Sequence, residues 1–290
     1  MDHQRAIAHG IDCPSQSPAV EMAIDEVGIT NKTFWVPLDT GLTPFDGEIL
    51  LGLPGQLRGI HMSRIEEAID GLRHQGPLGP VTYGLRLAEA VLKGQPALHV
   101  LLRMDGKIPI SRVTPVTGRT CLEAQWVGVE VKREKDSEEV WLQYGTGISH
   151  ITACPCTQAY NEALFGEDCP ERRGPGLPTH SQKCHTKLSI VESGVVEGDG
   201  PSVGLHELLM VLEGELIVVQ SLLKRPDEAE LVFRAHAMPQ FVEDVVRHVA
   251  KRALDEFSQR LGHGSRVVVE SLSLESIHSH DVKASVEITI

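Results

Sequence analysis

The run EAQWVGVEVKREKDSEEVWLQYGTGISHITA, residues 123–153, sets the fold class. EAQWVGVEVKRE and EEVWLQYGTGISHITA read as two long strands, and the charged KREKDSEE between them (132–139) as a hairpin tip with a solvated face. Upstream, PALHVLLRM reads as a third strand, and a helix is expected over Val81–Lys93. Before that helix, HMSRIEEAIDGL offers Ser63 as N-cap with Glu66 three residues on, and an apolar stripe of Ile65, Ala68, Ile69 and Leu72. EVGITNKTFWVPL (26–38) alternates loosely like a strand, whereas the Gly/Pro-rich passage Asp39–Leu57 reads as connection.

Downstream, KLSIVES reads as a strand and VGLHELLMVLEGEL as apolar helical periodicity. PQFVEDVVRHVAKRALDEFSQRL (239–261) is the clearest helix, with Pro at its start, Phe241, Val242, Val245, Val249 and Leu254 on one side, and Gly262 beyond its end. SRVVVESLSLES and VKASVEITI then alternate with period two. Helices in pairs beside long strands, in a pattern that occurs roughly twice, predict an α+β fold of two similar halves, 25–135 and 136–290, behind a mobile leader over 1–24.

The second long strand runs into GISHITACPCTQAYNEALFGEDCPERRGPGLPTHSQKCHTKL (147–188), which holds four of the six cysteines and three of the fourteen histidines. Pro155 between Cys154 and Cys156 disfavours a helix, so a strand end or tight loop is expected there, with both thiols facing the same way. Buried cysteines are often inert small hydrophobes, but clustering argues for more. A structural zinc knuckle would show paired C-x2-C spacing, and a zinc nucleobase deaminase H-x-E with P-C-x-x-C; neither is present. What is left is one or two thiols upstream and Thr179-His180 downstream, across a polar Glu167–Pro178 loop. Three protein ligands with an open fourth position suit a catalytic divalent metal.

ISHITACPCTQ followed by PTHSQK resembles the signature of the type IB GTP cyclohydrolases, a family that includes an archaeal branch forming a dihydroneopterin cyclic phosphate. VGITN (27–31), RGIHMSRI (58–65), SLLKRPDE (221–228) with PQFVEDVVR (239–247), and ESIHSH (275–280) extend the resemblance along the chain. It implies the tunnelling fold, in which antiparallel strands with helices on one face assemble into an oligomeric barrel, as a homo-oligomer (dimer or tetramer) with active sites at subunit junctions. It implies GTP as substrate, ring opening of guanine at C8 with release of formate, and 7,8-dihydroneopterin triphosphate as product at the entrance to tetrahydrofolate and pterin synthesis. The 2′,3′-cyclic phosphate is the alternative product. CPCTQ, a long spacer and THSQK, where bacterial members carry CPCSK, a shorter spacer and AHNQR, lean towards the archaeal branch.

By the same resemblance Cys154 and His180 are metal ligands and catalytic, Glu228 is the third metal ligand, and His278 ligates or moves protons. The metal is a divalent ion, Fe2+, Zn2+ or Mn2+. Glu243 meets the guanine edge, where a carboxylate accepts from the ring N–H and the amine together. Lys224, Arg225, Arg58 and Arg64 are candidates for the triphosphate, and Cys156, Cys169, Cys184 and His280 stand beside the site. Each role has an ordinary competitor: a solvated loop for Glu228, macrodipole compensation for Glu243, a satisfied strand histidine for His278. Two other readings use the same residues. One is a deazaguanine nitrile reductase of the same fold with a nucleophilic cysteine and NADPH; the other is a zinc-stabilised scaffold with a closed site.

A net charge of −13 argues against nonspecific nucleic-acid binding and against anionic membrane surfaces. No apolar run approaches the roughly 20 residues of a membrane helix, and MDHQRAIAHG lacks a signal-peptide core, so a cytoplasmic enzyme is expected. Six cysteines over 290 residues are too sparse for a disulfide scaffold.

Overall fold

The computed structural model describes residues 10, 12–165, 177–195 and 200–290. Eight strands hydrogen-bond in sequence order: β1 (Ile24–Leu38), β2 (Gly41–Leu53), β3 (His99–Val113), β4 (Thr120–Glu134), β5 (Glu139–Ala153), β6 (Ser181–Val195), β7 (Arg266–Leu274) and β8 (Val282–Thr289). The pairs β1–β2, β6–β7 and β7–β8 are antiparallel. Among the described residues six helices accompany them: α1 (Met62–Arg73), α2 (Pro80–Gly94), α3 (Pro155–Phe165), α4 (Leu205–Glu215), α5 (Arg225–Ala237) and α6 (Val242–Phe257). The α+β expectation holds. Among the described residues no helix is long and apolar enough to cross a membrane.

The chain divides into two compact units that interleave in sequence. One comprises the described residues of Met1–Asp105, Val129–Leu142 and Gly194–Gly200; the other those of Gly106–Gly128, Gln143–Ser193 and Pro201–Ile290. In the first, β1 and β2 form a long hairpin in which Phe34 faces Phe45, both fully buried. A register shift between Ile29 and Lys32 marks a bulge, and Asn31 takes a positive φ of 53° there, which asparagine tolerates better than most residues. α1 packs on α2 and on β1, where Lys32 Nζ donates to both Glu66 oxygens at 2.8 and 2.7 Å.

Several local expectations are corrected. Asp39–Leu57 is not a connection, because most of it is β2. Its Gly47 is required there: a Cβ would collide with the Arg103 carbonyl of the neighbouring strand. Ser63 is not an N-cap, since α1 starts at Met62 with His61 as cap, and Glu66 is spent on Lys32. Leader residues 1–9 and 11 lie outside the described residues. Within the remainder, Pro14 and Gln16 accept through their carbonyls from Arg58 N at 3.2 and 2.9 Å.

In the second unit α6 buries Val242, Val245, Val246, Val249, Ala250, Ala253 and Phe257 and packs against β7, β8 and α4. Burying one such Val or Phe side chain is worth about 1.5–3 kcal/mol. The expected stripe is thus right in its valines. Phe241, by contrast, is 40% exposed, because it is the N-cap residue and lies outside the helix.

The three helices α4, α5 and α6 start alike: an acidic side chain three residues inside reaches back to the cap N–H. Glu207 accepts from Gly204 N at 2.9 Å, Asp227 from Lys224 N at 3.0 Å and Asp244 from Phe241 N at 3.2 Å. Asp227 does more. Fully buried, it also accepts from Val116 N and Thr117 N, both at 2.9 Å, and from Thr117 Oγ1 at 2.7 Å, tying the β3–β4 turn to the start of α5. Burial alone would raise its carboxyl, but the bonds from Thr117, Lys224 and Val116 outweigh it and hold the group well below the carboxylate range.

Glu207 is clamped by Arg260, whose Nη1 and Nη2 donate to its two oxygens at 2.5 and 3.0 Å. That pairing, with the Gly204 N–H, pulls Glu207 down to about 2. A depressed native pKa adds stability above the unfolded-state value, about 4.3, and loses it as pH falls towards 2. Glu207→Gln should therefore lower the urea midpoint modestly at pH 7, since the pair is part-exposed. The gap from wild type should close as pH drops from about 4.3 to 2; a gap of constant size would show that the charge contributes nothing.

Candidate active site

The sequence places a thiol at the exit of β5 and an imidazole at the entrance of β6, and the backbone joins them. Cys154 N donates to the His180 carbonyl at 3.0 Å, and Thr179 Oγ1 donates to the Cys154 carbonyl at 2.7 Å. The intervening residues 166–176, with Cys169 and most of the expected Glu167–Pro178 loop, lie outside the described residues. At the near ends of that segment, Asn161 Nδ2 donates to the Pro178 carbonyl at 2.6 Å, and His236 Nε2 lies 3.2 Å from the Thr179 carbonyl. Gln240 N donates to the Ala153 carbonyl at 3.1 Å, which sets the start of α6 beside Cys154.

Pro155 does not exclude a helix. It opens α3 at the first helical position, where the missing N–H costs nothing. The two thiols of C-P-C consequently differ: Cys154 is half-buried before the helix, with Thr157 Oγ1 3.9 Å from its sulfur, and Cys156 is exposed within the first turn. Cys184 is fully buried, 3.5 Å from Thr152 Oγ1, and burial pushes its thiol up. It behaves as a packed small hydrophobe.

His180 is half-buried, and its Nδ1 is a buried atom without a hydrogen-bond partner. A buried ring nitrogen left empty beside a cysteine is a donor available to a cation, and the Cys/His pair suits a divalent metal in chemistry. His278 stands with its ring centroid 6.3 Å from that of His180, edge to face, and stacks on His280 at 5.4 Å. Both belong to the β7–β8 connection rather than to a strand. Among the described residues, no three His, Cys, Asp or Glu side chains converge closely enough to hold a metal. Glu228 is exposed in the first turn of α5, which replaces the expected charged loop because Pro226 sits where a helix accepts it. Glu243 is exposed in the first turn of α6.

The profile of the family described as type I GTP cyclohydrolase folE2 matches residues 11–284. The chain belongs to that family. The GTP cyclohydrolase MptA of Thermoplasma volcanium is 28% identical over 284 residues, covering 96% of this chain and 94% of its own. That of Methanoculleus marisnigri is 30% identical over 305 residues, covering 96% and 95%. Among solved structures, uricase from Arthrobacter globiformis superposes with a TM-score of 0.56 over 92% of this chain and 94% of its own, at 6% identity. This last likeness is one of fold alone.

Beside the cyclohydrolase motif the second unit holds features that motif reading passed over. His150 is buried, and its Nε2 lies 2.7 Å from Thr186 Oγ1, itself 2.8 Å from Ser271 Oγ, a polar thread across β5, β6 and β7. Burial lowers His150 to about 4, so it stays neutral. A cleft of about 640 Å³ opens on the sheet, walled in part by Lys107, Trp126, Lys183, His185 and Lys187. The alternation of Lys183, His185 and Lys187 in SQKCHTK was the available signal for a cationic strand face.

The thiols give a direct check on this arrangement. Iodoacetamide on the native protein, mapped by mass spectrometry, should modify Cys156 readily and Cys184 only after unfolding. Native-state labelling of Cys184 would contradict the packing described.

Proposed function

We propose that this chain is a metal-dependent GTP cyclohydrolase that opens the imidazole ring of guanine at C8 and releases formate, with 7,8-dihydroneopterin 2′,3′-cyclic phosphate as its product. The observation that carries the reading is the backbone-locked Cys154–His180 pair with an unpartnered imidazole nitrogen, in a chain of this family. The family match favours cyclohydrolase chemistry over the nitrile reductase of the same fold. The relatives' shared name, that of the archaeal branch, favours the cyclic phosphate over the linear triphosphate.

In this reading Cys154, His180 and Glu228 hold the divalent ion, with Glu228 completing the set in a homo-oligomer whose active sites lie at subunit junctions. The ion, when bound, supplies Lewis acidity that makes water a nucleophile at neutral pH. The remaining work falls to side chains. Glu243, in the first turn of α6, accepts from the guanine ring N–H and exocyclic amine and sets C8 towards Cys154 and His180. Adenine offers no such donor pair, so the carboxylate would lose its partners on binding it. His278, beside His180 and stacked on His280, takes and returns the proton as the ring opens.

The test is anaerobic incubation with GTP and defined Fe2+, Zn2+ or Mn2+, following formate and identifying the pterin by mass. Wild type should yield formate and the cyclic phosphate. Cys154→Ala and His180→Ala should each lose both bound metal and turnover while the assembly stays folded, and Glu243→Gln should weaken GTP binding by about tenfold or more. Full activity in either ligand variant would remove the metal assignment, and a linear triphosphate would move the product to the other branch.

A further inference from the structure

The polar side chains on the covered face of β6 find partners within the sheet until the strand nears the candidate site. Burial alternates along β6, so that Gln182, Cys184, Thr186 and Leu188 lie on the covered face while Lys183, His185 and Lys187 stand on the other. Thr186 Oγ1 is 2.7 Å from His150 Nε2 and 2.8 Å from Ser271 Oγ, and Cys184 Sγ is 3.5 Å from Thr152 Oγ1. On β7, Ser273 Oγ donates to Glu275 Oε1 at 2.8 Å. Gln182 breaks this order. The residue is buried, 9% exposed, and among the described residues nothing donates to its Oε1.

Its position is as informative as its missing partner. Gln182 is two residues from His180, so on an extended chain the two side chains follow one another along one face. His180 is the residue whose carbonyl meets Cys154 N, and its ring Nδ1 is likewise buried and unpartnered. Five buried side-chain atoms lack a partner among the described residues, and two of them therefore occur two residues apart at the candidate site. The β6–β7 register begins at Lys183 with Leu274, which sets Gln182 level with Glu275, the first residue of the β7–β8 connection. That connection is closed at its base by Glu275 N donating to Asp281 at 3.3 Å, and it carries His278, whose ring centroid is 6.3 Å from that of His180.

A buried amide oxygen with nothing to accept from destabilises the folded chain, and such a group is kept where a transient partner fills it at work. The partner must be a donor, which excludes the Glu275 carboxylate. Water qualifies. An O–H donated to the amide leaves the water oxygen's lone pairs free for attack, and the amide, being neutral, directs that water without changing the charge of the site.

We propose that Gln182 is a water-positioning residue, its Oε1 accepting a hydrogen bond from the water that attacks C8 of guanine. The inference rests on the cyclohydrolase reading above and gives a role to a residue that reading leaves idle. In this step the water oxygen bonds to C8, the C8–N9 bond breaks with its electron pair kept by N9, and the two water protons end on N9 and N7. A second water then cleaves C8–N7 and takes the carbon away as formate.

The experiment compares the full-length wild type with Gln182→Met, which keeps the length of the side chain without the acceptor, and Gln182→Glu, which keeps an acceptor at the same reach. Gln182→Met should bind metal and GTP as the wild type does, with unchanged KM, and lose about tenfold or more in kcat, the loss of one hydrogen bond to the reacting water. Gln182→Glu should recover a large part of that loss. In the metal-free protein without GTP, the urea midpoint of Gln182→Met should equal or exceed that of the wild type, because apolar atoms replace an unsatisfied buried oxygen. A lowered midpoint would show the amide to be bonded within the fold, lost metal would make it a ligand, and a raised KM at unchanged kcat would assign it to ground-state binding; each overturns the proposal, as does a Gln182→Glu enzyme no better than Gln182→Met. Unchanged turnover in Gln182→Met removes only this residue and leaves the cyclohydrolase reading standing, whereas a wild type that releases no formate from GTP with any of the ions sinks that reading and this proposal together.

Discussion

One backbone hydrogen bond, from Cys154 N to the His180 carbonyl, joins the two residues that the proposed function assigns to the metal. Each is at the end of a long strand and so inherits the rigidity of the sheet. The Thr179 hydroxyl on the Cys154 carbonyl closes the same junction from the other side. Two residues joined in this way hold their backbone spacing whatever their side chains bind.

The surroundings of that junction are built by the same economy. Gln240 N on the Ala153 carbonyl and His236 beside the Thr179 carbonyl bring the C-terminal end of α5 and the start of α6 to the strand ends. α6 in turn is seated by its valine stripe on β7 and β8, so the position of Glu243 in its first turn is decided by apolar packing some turns away. Asp227 plays a similar part for α5: buried and bonded to four donors of the β3–β4 turn and the helix start, it fixes the neighbouring Glu228 to one helix phase.

The long strands, the hairpin tip and α6 were legible because their pattern is repeated over many residues, and alternation or a valine stripe survives local irregularity. What the sequence concealed was concentrated at Gly and Pro. Gly41, Pro44, Gly47 and Gly52 disguised β2 as a connection, although Gly47 is in β2 because a neighbouring carbonyl comes too close for any side chain. Pro155 read as a breaker and is a helix opener, a distinction that depends on a single position relative to the first turn. The residues alone offered one or two thiols with Thr179-His180, and only resemblance chose Cys154, since the bond that joins it to His180 is between backbone atoms and leaves no mark on side-chain pattern.

The cationic face of β6 illustrates the opposite case, a signal that was present but carried no motif. Three basic residues at i, i+2 and i+4 would be an unremarkable solvated stripe on an edge strand. Here they lie on an interior strand between β5 and β7, beside glycines that clear the floor, with the Glu123 carboxylate on the same cleft wall bonded to Ser221. Net charge is a property of the whole chain, but binding depends on the local field. In a chain of net charge −13, Lys183 and Lys187 share one face of β6 and, among the described residues, form no ion pair.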